Sequence, residues 1–234
     1  MQNIYLYLCK KNPMRLLIFV YIFFFNFLSV DCQENKNFPN DVRWVTSSDE
    51  YKELCTQIYT NAWISLRNKI YSSNEPVIVM DLDETVLDNS KYQIDLFNKS
   101  TSYEPKTWNK WVKKEEADLV PGSKEFITRF KKIKNSKIIF LSNRDASTLN
   151  ATKSNMKKLD ILFSDDIFLL RESEDDTKTT RRNEIIKGEG RMSKFGAKKI
   201  IAYFGDAIGD FPKDKNFEFG INKFLFPNPM YGKW

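Results

Sequence analysis

The stretch that decides the fold runs from Val77 to Val86 and reads VIVMDLDETV. Its first four residues are all apolar, which is typical of a short strand buried on both faces, as in a parallel sheet. Asp81 and Asp83 follow at once, so two carboxylates stand at the carboxyl end of this strand. In open α/β sheets that edge binds ligands. The stretch therefore predicts a functional site on the first strand of an α/β domain.

The alternation of strand and helix continues on both sides of this strand. Upstream, apolar residues between Tyr51 and Ile70 recur at helical spacing, and Cys55 lies on their stripe as a predicted core residue. Pro121-Gly122 leads a further predicted helix. Alternating elements predict an α/β, Rossmann-like fold, with a parallel central sheet flanked by helices. The other predicted strands are 137–141, 167–170, 199–204 and 223–226, and two more helices are predicted over 145–158 and 179–186.

A long polar and aromatic segment, 89–120, interrupts this alternation. It is too long for a simple connection, so we expect it to form a cap or lid over the carboxyl ends of the strands. Pro105 predicts the start of a short helix within it. Trp108 and Trp111 are three residues apart on that helix, which fits either core packing or a stacking surface for a ligand.

The amino-acid composition limits the kinds of catalytic mechanism that are possible for this chain. The 234 residues include 37 Lys and Arg, 31 Asp and Glu, and no His, for a net charge of +6. Without His, the Ser-His-Asp and Cys-His mechanisms and His-ligated metal sites are excluded. Because charges of both signs are interspersed, we expect no binding to a nucleic-acid polymer. Any catalysis must therefore use carboxylates, Lys or Arg, Ser or Thr, or Cys.

Polar residues also follow the other predicted strands. If the sheet is parallel, all of them meet at one edge with Asp81 and Asp83. Four crowded carboxylates repel one another and need a divalent cation, and ligation by oxygen alone favours Mg²⁺ over zinc or copper. These residues are Ser142, Asn143 and Arg144 after the second strand, Lys178, Arg181 and Arg182 after the third, and Asp206 and Asp210 after the fourth.

The first 32 residues predict an exported protein. Basic residues precede the apolar run LLIFVYIFFFNFLSV at 16–30, which is the pattern of a secretory signal peptide and is shorter than a typical membrane span of about 20 residues. Two fates of Cys32 stay open, namely cleavage after it or its lipidation as a membrane anchor. The product would be secreted, periplasmic or held at the cell surface.

The motifs resemble those of a known superfamily. DLDETV at 81–86, Ser142 after an apolar strand, and GDAIGD at 205–210 are similar, in this order, to the haloacid-dehalogenase-like (HAD) signature. The longer stretches DLDETVLDNS at 81–90, TWNKWV at 107–112, LVPG at 119–122, SNRD at 142–145 and PNPMYGKW at 227–234 resemble the class C acid phosphatase or lipoprotein-type 5′-nucleotidase family. The similarity covers about residues 40–234, the predicted phosphatase domain with its cap insertion.

This resemblance implies an exported acid phosphatase that hydrolyses small phosphate monoesters, nucleoside 5′-monophosphates included, and that forms a homodimer. It makes Asp81 the nucleophile, Asp83 the general acid and base, and Ser142 a donor to the phosphoryl group. Lys178 is the expected phosphate-stabilising cation, with Arg181 or Arg182 as alternatives. The expected Mg²⁺ ligands are Asp81, the backbone carbonyl of Asp83, Asp206 and Asp210, and the expected substrate contacts are Asn143, Arg144, Trp108, Trp111 and Tyr231.

Two other functions compete with this one. A non-catalytic surface binding or storage protein could keep the same fold, but it predicts a broken motif, and Asp81 and Asp83 are both intact. Dehalogenation needs no general acid, so Asp83 favours phosphoester cleavage. Because the acid and base groups are carboxylates, we expect the pH optimum to lie on the acid side.

Overall fold

The computed structural model describes residues 38–232, and the predicted signal peptide with Cys32 lies outside them. Its helices are α1 (Asn40–Ser47), α2 (Asp49–Ser72), α3 (Ser90–Asn98), α4 (Pro105–Lys114), α5 (Ser123–Lys131), α6 (Leu149–Lys158) and α7 (Lys178–Lys187). Its strands are β1 (Val77–Met80), β2 (Leu87–Asp88), β3 (Asp118–Leu119), β4 (Lys137–Asp145), β5 (Ile167–Arg171), β6 (Ile200–Gly205) and β7 (Lys223–Leu225). In this range no helix is both long and apolar enough to cross a membrane.

Five strands form a parallel sheet in the order β5-β4-β1-β6-β7. From β1 the chain builds outward through β4 to β5 and then crosses back to β6 on the other side. The strand order therefore reverses at β1, and such a switch point is where open α/β sheets bind ligands. The predicted α/β fold with a parallel central sheet is confirmed.

Both faces of the sheet are covered, which explains the unbroken apolar run of β1. Ile78 and Met80 belong to the hydrophobic cluster that includes α2 and α5, whereas Val77 and Val79 belong to a second cluster that includes Ile185 of α7. Cys55 of α2 is buried in the first cluster, as predicted from its place on the apolar stripe.

Strand β4 runs further than the sequence predicts. Its pairing with β5 shifts register after Ser142 and resumes where Asp145 faces Arg171, so the strand extends past the predicted end at 141. For the same reason the helix predicted from 145 begins later. A short 3₁₀ turn, Ala146–Thr148, comes first, and α6 starts at Leu149.

The 89–120 segment contains more structure than the predicted helix. That helix, α4, does begin at Pro105, but α3 precedes it and was not predicted, and neither was α1. Strands β2 and β3 pair antiparallel, with Leu87 opposite Leu119. The two ends of the segment are thereby joined, and Tyr92, Trp111 and Val112 within it are buried in the first hydrophobic cluster.

Candidate active site

Asp81 and Lys178 meet at the carboxyl end of β1. The Asp81 backbone N–H donates to the carbonyl of Phe204 on β6, which holds the residue in line with the sheet. Lys178 is the first residue of α7, a helix capped by the side chain of Thr177. Its ammonium donates to Asp81 Oδ1 and to Asp210 Oδ1, both at 2.5 Å. All of these groups are buried, so the contact is shielded from water.

Arg181 and Arg182, the two alternative cations, both donate hydrogen bonds to backbone carbonyl oxygens. Arg181 donates to the carbonyl oxygens of Ser142 and Leu169, both on neighbouring strands. Arg182 donates to the carbonyl of Gly209.

Of the three candidates from the sequence, Lys178 is therefore the one that contacts the carboxylates of Asp81 and Asp210. Arg181 contacts the carboxylate of Asp176 at 3.3 Å, and the two arginines fasten α7 to the strands and loops beside it.

Three of the four predicted metal-binding aspartates form a cluster. Carboxylate oxygens of Asp81, Asp206 and Asp210 lie within 4.8 Å of one another. Asp210 also accepts the backbone N–H of Ala207 at 3.0 Å, and Asp206 accepts the side-chain N–H of Asn228 at 2.8 Å. Sequence reasoning had not singled out Asn228, although it lies in the quoted terminal stretch PNPMYGKW.

The charge in this cluster is unbalanced. Burial raises the pKa of Asp81; the Lys178 ammonium opposes the rise, and Asp210 adds to it. Burial and then Asp210 raise the pKa of Asp206 to about 7. Burial alone would lower the pKa of Lys178, but the two carboxylates it contacts outweigh this and raise it. One ammonium facing three carboxylates leaves room for a further cation, and a donor set made only of oxygens fits a hard divalent ion.

Gly205, the first residue of GDAIGD, makes room for this cluster. A Cβ atom at this position would lie 2.4 Å from Cβ of Asp210, far inside contact distance. Gly209, in the same loop, has nothing within 4 Å of the corresponding position. The first glycine is therefore required by packing against Asp210, and the second is not.

Asp83 faces away from the cluster, toward Arg144. The guanidinium of Arg144 donates to Asp83 Oδ1 from Nε at 2.9 Å and from a terminal nitrogen at 2.7 Å. The side-chain nitrogen of Asn89 donates to the same oxygen at 3.0 Å. The Ser142 hydroxyl lies 3.4 Å from Asp83 Oδ2 and accepts the backbone N–H of Arg144 at 3.1 Å. Asp83 and Ser142 thus lie side by side.

Arg144 was predicted as a substrate contact, and the structure places its guanidinium against Asp83. The residue is only 1% exposed, and its other terminal nitrogen donates to Thr152 at 3.0 Å. The buried guanidinium therefore supports the Asp83 carboxylate. Neither Thr152 nor Asn89 was singled out from the sequence, although Asn89 lies in the quoted stretch DLDETVLDNS at 81–90, whereas Thr152 lies in none of the quoted stretches.

The aromatic candidates for substrate contact also differ from one another in how far they are buried. Trp111 is 3% exposed and donates to Asn89 Oδ1 at 2.9 Å, which favours the packing alternative over a stacking surface. Trp108 is partly exposed and meets Tyr92 edge-on, with ring centroids 5.1 Å apart. Tyr231 is also partly exposed, in the turn that Asn228 holds. Asn143 is exposed, and its Oδ1 accepts from Arg181 at 2.7 Å.

The fold and its rim of carboxylates around Lys178 place the chain among the α/β enzymes. The family model described as HAD superfamily, subfamily IIIB (acid phosphatase), matches residues 24–234. The chain belongs to this subfamily, and its class is that of a phosphomonoesterase. The family resemblance stated from the sequence motifs is confirmed.

Two solved structures resemble the chain over most of its length. One is the class C acid phosphatase from Bacillus anthracis with tungstate bound; it has a TM-score of 0.68 and 29% identity, and the match covers 82% of this chain and 84% of that one. The other is the class C acid phosphatase from Bacillus anthracis, with a TM-score of 0.68, 28% identity and the same coverage.

Proposed function

We propose that this chain is an exported, Mg²⁺-dependent acid phosphatase that hydrolyses small phosphate monoesters, nucleoside 5′-monophosphates among them. The observation that carries the proposal is the 2.5 Å contact of the Lys178 ammonium with Asp81 Oδ1, inside a cluster of three aspartates. A nucleophile and a countercharge for the phosphoryl group are thereby held together at the switch point of the sheet.

Asp81 begins the reaction. One of its carboxylate oxygens attacks phosphorus in line, and the bond from phosphorus to the ester oxygen breaks. Asp83 gives its proton to the departing alkoxide, so the alcohol leaves neutral and Asp83 becomes a carboxylate. The product of this half-reaction is an aspartyl-phosphate on Asp81.

Water completes the reaction. Asp83 now acts as a base and takes a proton from a water molecule, whose oxygen attacks the phosphorus atom. The bond from phosphorus to Asp81 breaks, and inorganic phosphate leaves. Throughout both halves the Ser142 hydroxyl and the Lys178 ammonium are the groups proposed to stabilise charge on the phosphoryl oxygens.

The carboxylates of Asp81, Asp206 and Asp210, with the backbone carbonyl of Asp83, are the groups that would hold Mg²⁺. When bound, the ion neutralises negative charge between an anionic nucleophile and an anionic substrate. Its support is the donor set: three buried or partly buried carboxylates share one ammonium, which leaves excess negative charge.

The proposed substrate contacts are Trp108, Tyr231 and Asn143, each of which keeps some exposure. The two aromatic rings offer π-faces, on which a nucleobase would stack. Tyr231 follows Asn228, which contacts Asp206, so a ligand bound on its ring would lie beside the carboxylate cluster. The 89–120 segment, which carries Trp108, is proposed to act as the cap.

Export and assembly are proposed from the sequence. Residues 1–32 are the signal peptide, with either cleavage after Cys32 or its lipidation, and the resemblance to the family suggests a homodimer. Mass spectrometry of the mature N-terminus decides between a free amino end and a lipidated Cys32. Sedimentation of the purified protein tests for the dimer.

The decisive experiment is a substrate panel. Purified protein is assayed for phosphate release from nucleoside 5′-monophosphates, glycerol 3-phosphate and p-nitrophenyl phosphate, with and without EDTA. We expect release that EDTA abolishes and Mg²⁺ restores. An absence of Mg²⁺-dependent release, or full activity in Asp81→Asn, would refute the proposal.

A further inference from the structure

Asn89 is a buried amide that lies between Asp83 and helix α4. Its side-chain nitrogen donates to Asp83 Oδ1 at 3.0 Å and to Glu84 Oε1 at 3.2 Å. Its side-chain oxygen accepts the indole N–H of Trp111 at 2.9 Å. Asn89 therefore joins a residue of the 89–120 segment to the carboxylate that follows β1.

The indole of Trp111 helps to fix which way this amide points. An indole nitrogen is only a donor, whereas the carboxylate oxygens of Asp83 and Glu84 accept. If the amide turned around, its NH₂ group would face the indole N–H and its oxygen would face two carboxylates. Buried donors and acceptors would then be left without partners, which is unfavourable. Trp111 therefore helps to determine that Asn89 presents a donor to Asp83. The Leu87 carbonyl, which accepts from the amide nitrogen at 3.2 Å, and Arg144, which lies 3.4 Å from the amide oxygen, favour the same orientation.

The two oxygens of Asp83 are held unequally. Oδ1 accepts from Asn89 at 3.0 Å and from two nitrogens of Arg144 at 2.7 and 2.9 Å. The contacts of Oδ2 are longer, 3.3 Å to Arg144 Nε and 3.4 Å to the Ser142 hydroxyl. Oδ1 is therefore the anchored oxygen, and Oδ2 is the one left to carry a proton toward a leaving group.

We propose that Asn89 and Trp111 are positioning residues, which anchor Asp83 Oδ1 and so orient Oδ2 for proton transfer to the leaving oxygen. This proposal rests on the proposed function, in which Asp83 is the general acid. Neither residue touches the reacting atoms, and both act through Asp83. The 89–120 segment thus takes part in the protonation of the leaving group.

A purely structural role for Trp111 leads to a different expectation. Its ring also packs near Tyr92, with centroids 6.1 Å apart, and loss of packing alone would affect all substrates alike. A misdirected acid affects only those substrates whose leaving oxygen needs a proton. An alkyl phosphate needs that proton, whereas p-nitrophenyl phosphate, which releases a stable phenolate, needs it much less. The ratio of the two activities therefore distinguishes the roles.

The experiment compares kcat/KM on glycerol 3-phosphate and on p-nitrophenyl phosphate for Trp111→Phe and Asn89→Asp. Trp111→Phe keeps an aromatic ring but loses the N–H. Asn89→Asp is nearly isosteric and keeps the acceptor for Trp111, but it replaces the donor that faces Asp83. Trp63→Phe is the matched control, since Trp63 is a buried indole of α2 that packs against Phe126 and Arg129.

We expect each site variant to lower kcat/KM on glycerol 3-phosphate by about tenfold or more, part of the roughly 10²–10⁴-fold effect of a general acid. On p-nitrophenyl phosphate we expect a loss below about twofold, because the leaving group needs little protonation. Trp63→Phe should leave the ratio unchanged. The double variant should lose no more kcat/KM than the single variant with the larger loss, since both substitutions break the same chain of contacts.

Equal losses on the two substrates, or no loss on either, would overturn the positioning role. A parent protein that hydrolyses neither substrate would instead overturn the proposed function, so the two failures are distinguishable. Thermal melts accompany each variant. If Trp111→Phe does not fold, Asn89→Asp, which changes no packing volume, decides the question by the same ratio.

Discussion

The proposed site has two sides that are built differently, named here after the roles proposed for Asp81 and Asp83. The nucleophile side is made of Asp81, Lys178, Asp206 and Asp210, and the acid side is made of Asp83, Asn89, Trp111 and Arg144. The residues of the nucleophile side lie just after strand ends and at the start of α7, so the parallel sheet itself brings them together. The acid side is held by side-chain hydrogen bonds, two of which are donated by Asn89 and Trp111 of the 89–120 segment. One side therefore depends on topology and the other on side-chain contacts.

The two sides also differ in charge. On the nucleophile side a single ammonium faces three carboxylates, and the pKa of Asp206 is raised accordingly, by burial and then by Asp210. On the acid side the Arg144 guanidinium faces the Asp83 carboxylate, and burial, followed by Asp83, raises the pKa of the neighbouring Glu84. The proposed cation belongs to the nucleophile side, so substitutions and metal removal should separate the two.

The largest effect is expected from Asp81→Asn. Losing the attacking oxygen should lower kcat by about 10⁴-fold or more for every substrate, whatever its leaving group, as is usual when a nucleophile is removed. Phosphate release from p-nitrophenyl phosphate and from glycerol 3-phosphate measures it. A variant that keeps more than a few per cent of the activity on either substrate would show that the nucleophile lies elsewhere.

A smaller and more selective effect is expected from Asp83→Asn. Removing the general acid should lower kcat/KM for glycerol 3-phosphate by about 10²–10⁴-fold, and for p-nitrophenyl phosphate by much less. A series of aryl phosphates with leaving groups of increasing basicity measures the dependence, which should become steeper in the variant. An unchanged slope would remove Asp83 from leaving-group protonation and would end the distinction between the two sides.

Gly205→Ala should damage the nucleophile side alone. The new Cβ would lie 2.4 Å from Cβ of Asp210, so the loop must shift, at a cost of about 1–3 kcal/mol of stability. Chemical denaturation measures the loss, and calorimetry should show weaker Mg²⁺ binding. Gly209→Ala is the matched control, because open space surrounds the position of its Cβ. Equal stability of the two variants would contradict the packing requirement at Gly205.

The contrast between the two sides also explains which parts of the site could be predicted from the sequence. Asp81 and Asp206 follow apolar strands directly, and Asp210 comes four residues after Asp206, so the parallel order of the strands suffices to bring all three to one edge. Lys178 could be placed near them for the same reason, since it opens the helix after β5. The sequence alone did not decide between Lys178, Arg181 and Arg182. All three lie near the start of the same helix, and which side chain points at the carboxylates depends on how that helix is rotated against the sheet.

The acid side was less accessible to prediction. Arg144 follows a strand like the others, but β4 continues past it, and its guanidinium turns inward to Asp83 and Thr152. Trp111 was placed correctly on a helix, yet its partner Asn89 depends on how the whole 89–120 segment folds back. Local patterns do not encode such contacts, because they join residues from elements whose packing is set by tertiary structure.

The last expected effect is a change in thermal stability on metal removal. The pKa of Asp206 is about 7 in the folded chain against an ordinary value of 3.8, because of burial and Asp210, so the folded state binds more protons than the unfolded state between these values. Stability of the metal-free protein should therefore fall as pH rises from about 4 to about 7. Mg²⁺ at 100 times its Kd should restore about 2.7 kcal/mol above pH 7, which thermal melts in EDTA and in Mg²⁺ would measure.

Two variants make this last measurement specific to the nucleophile side. Asp206→Asn should weaken the pH dependence in EDTA, which Asp81 with its raised pKa would still contribute to, and should reduce the stabilisation by Mg²⁺, because one carboxylate of the cluster is gone. Asp165→Asn is the control. Burial alone would raise the pKa of Asp165, but Lys131 and Lys137 outweigh burial and hold this pKa at about 2. Asp165 is therefore ionised throughout pH 5 to 8, and its contribution to stability is constant over that range. That variant should melt lower by a similar amount across the range and keep the full Mg²⁺ effect. Parallel curves for all three proteins would mean that the carboxylate cluster carries no excess charge.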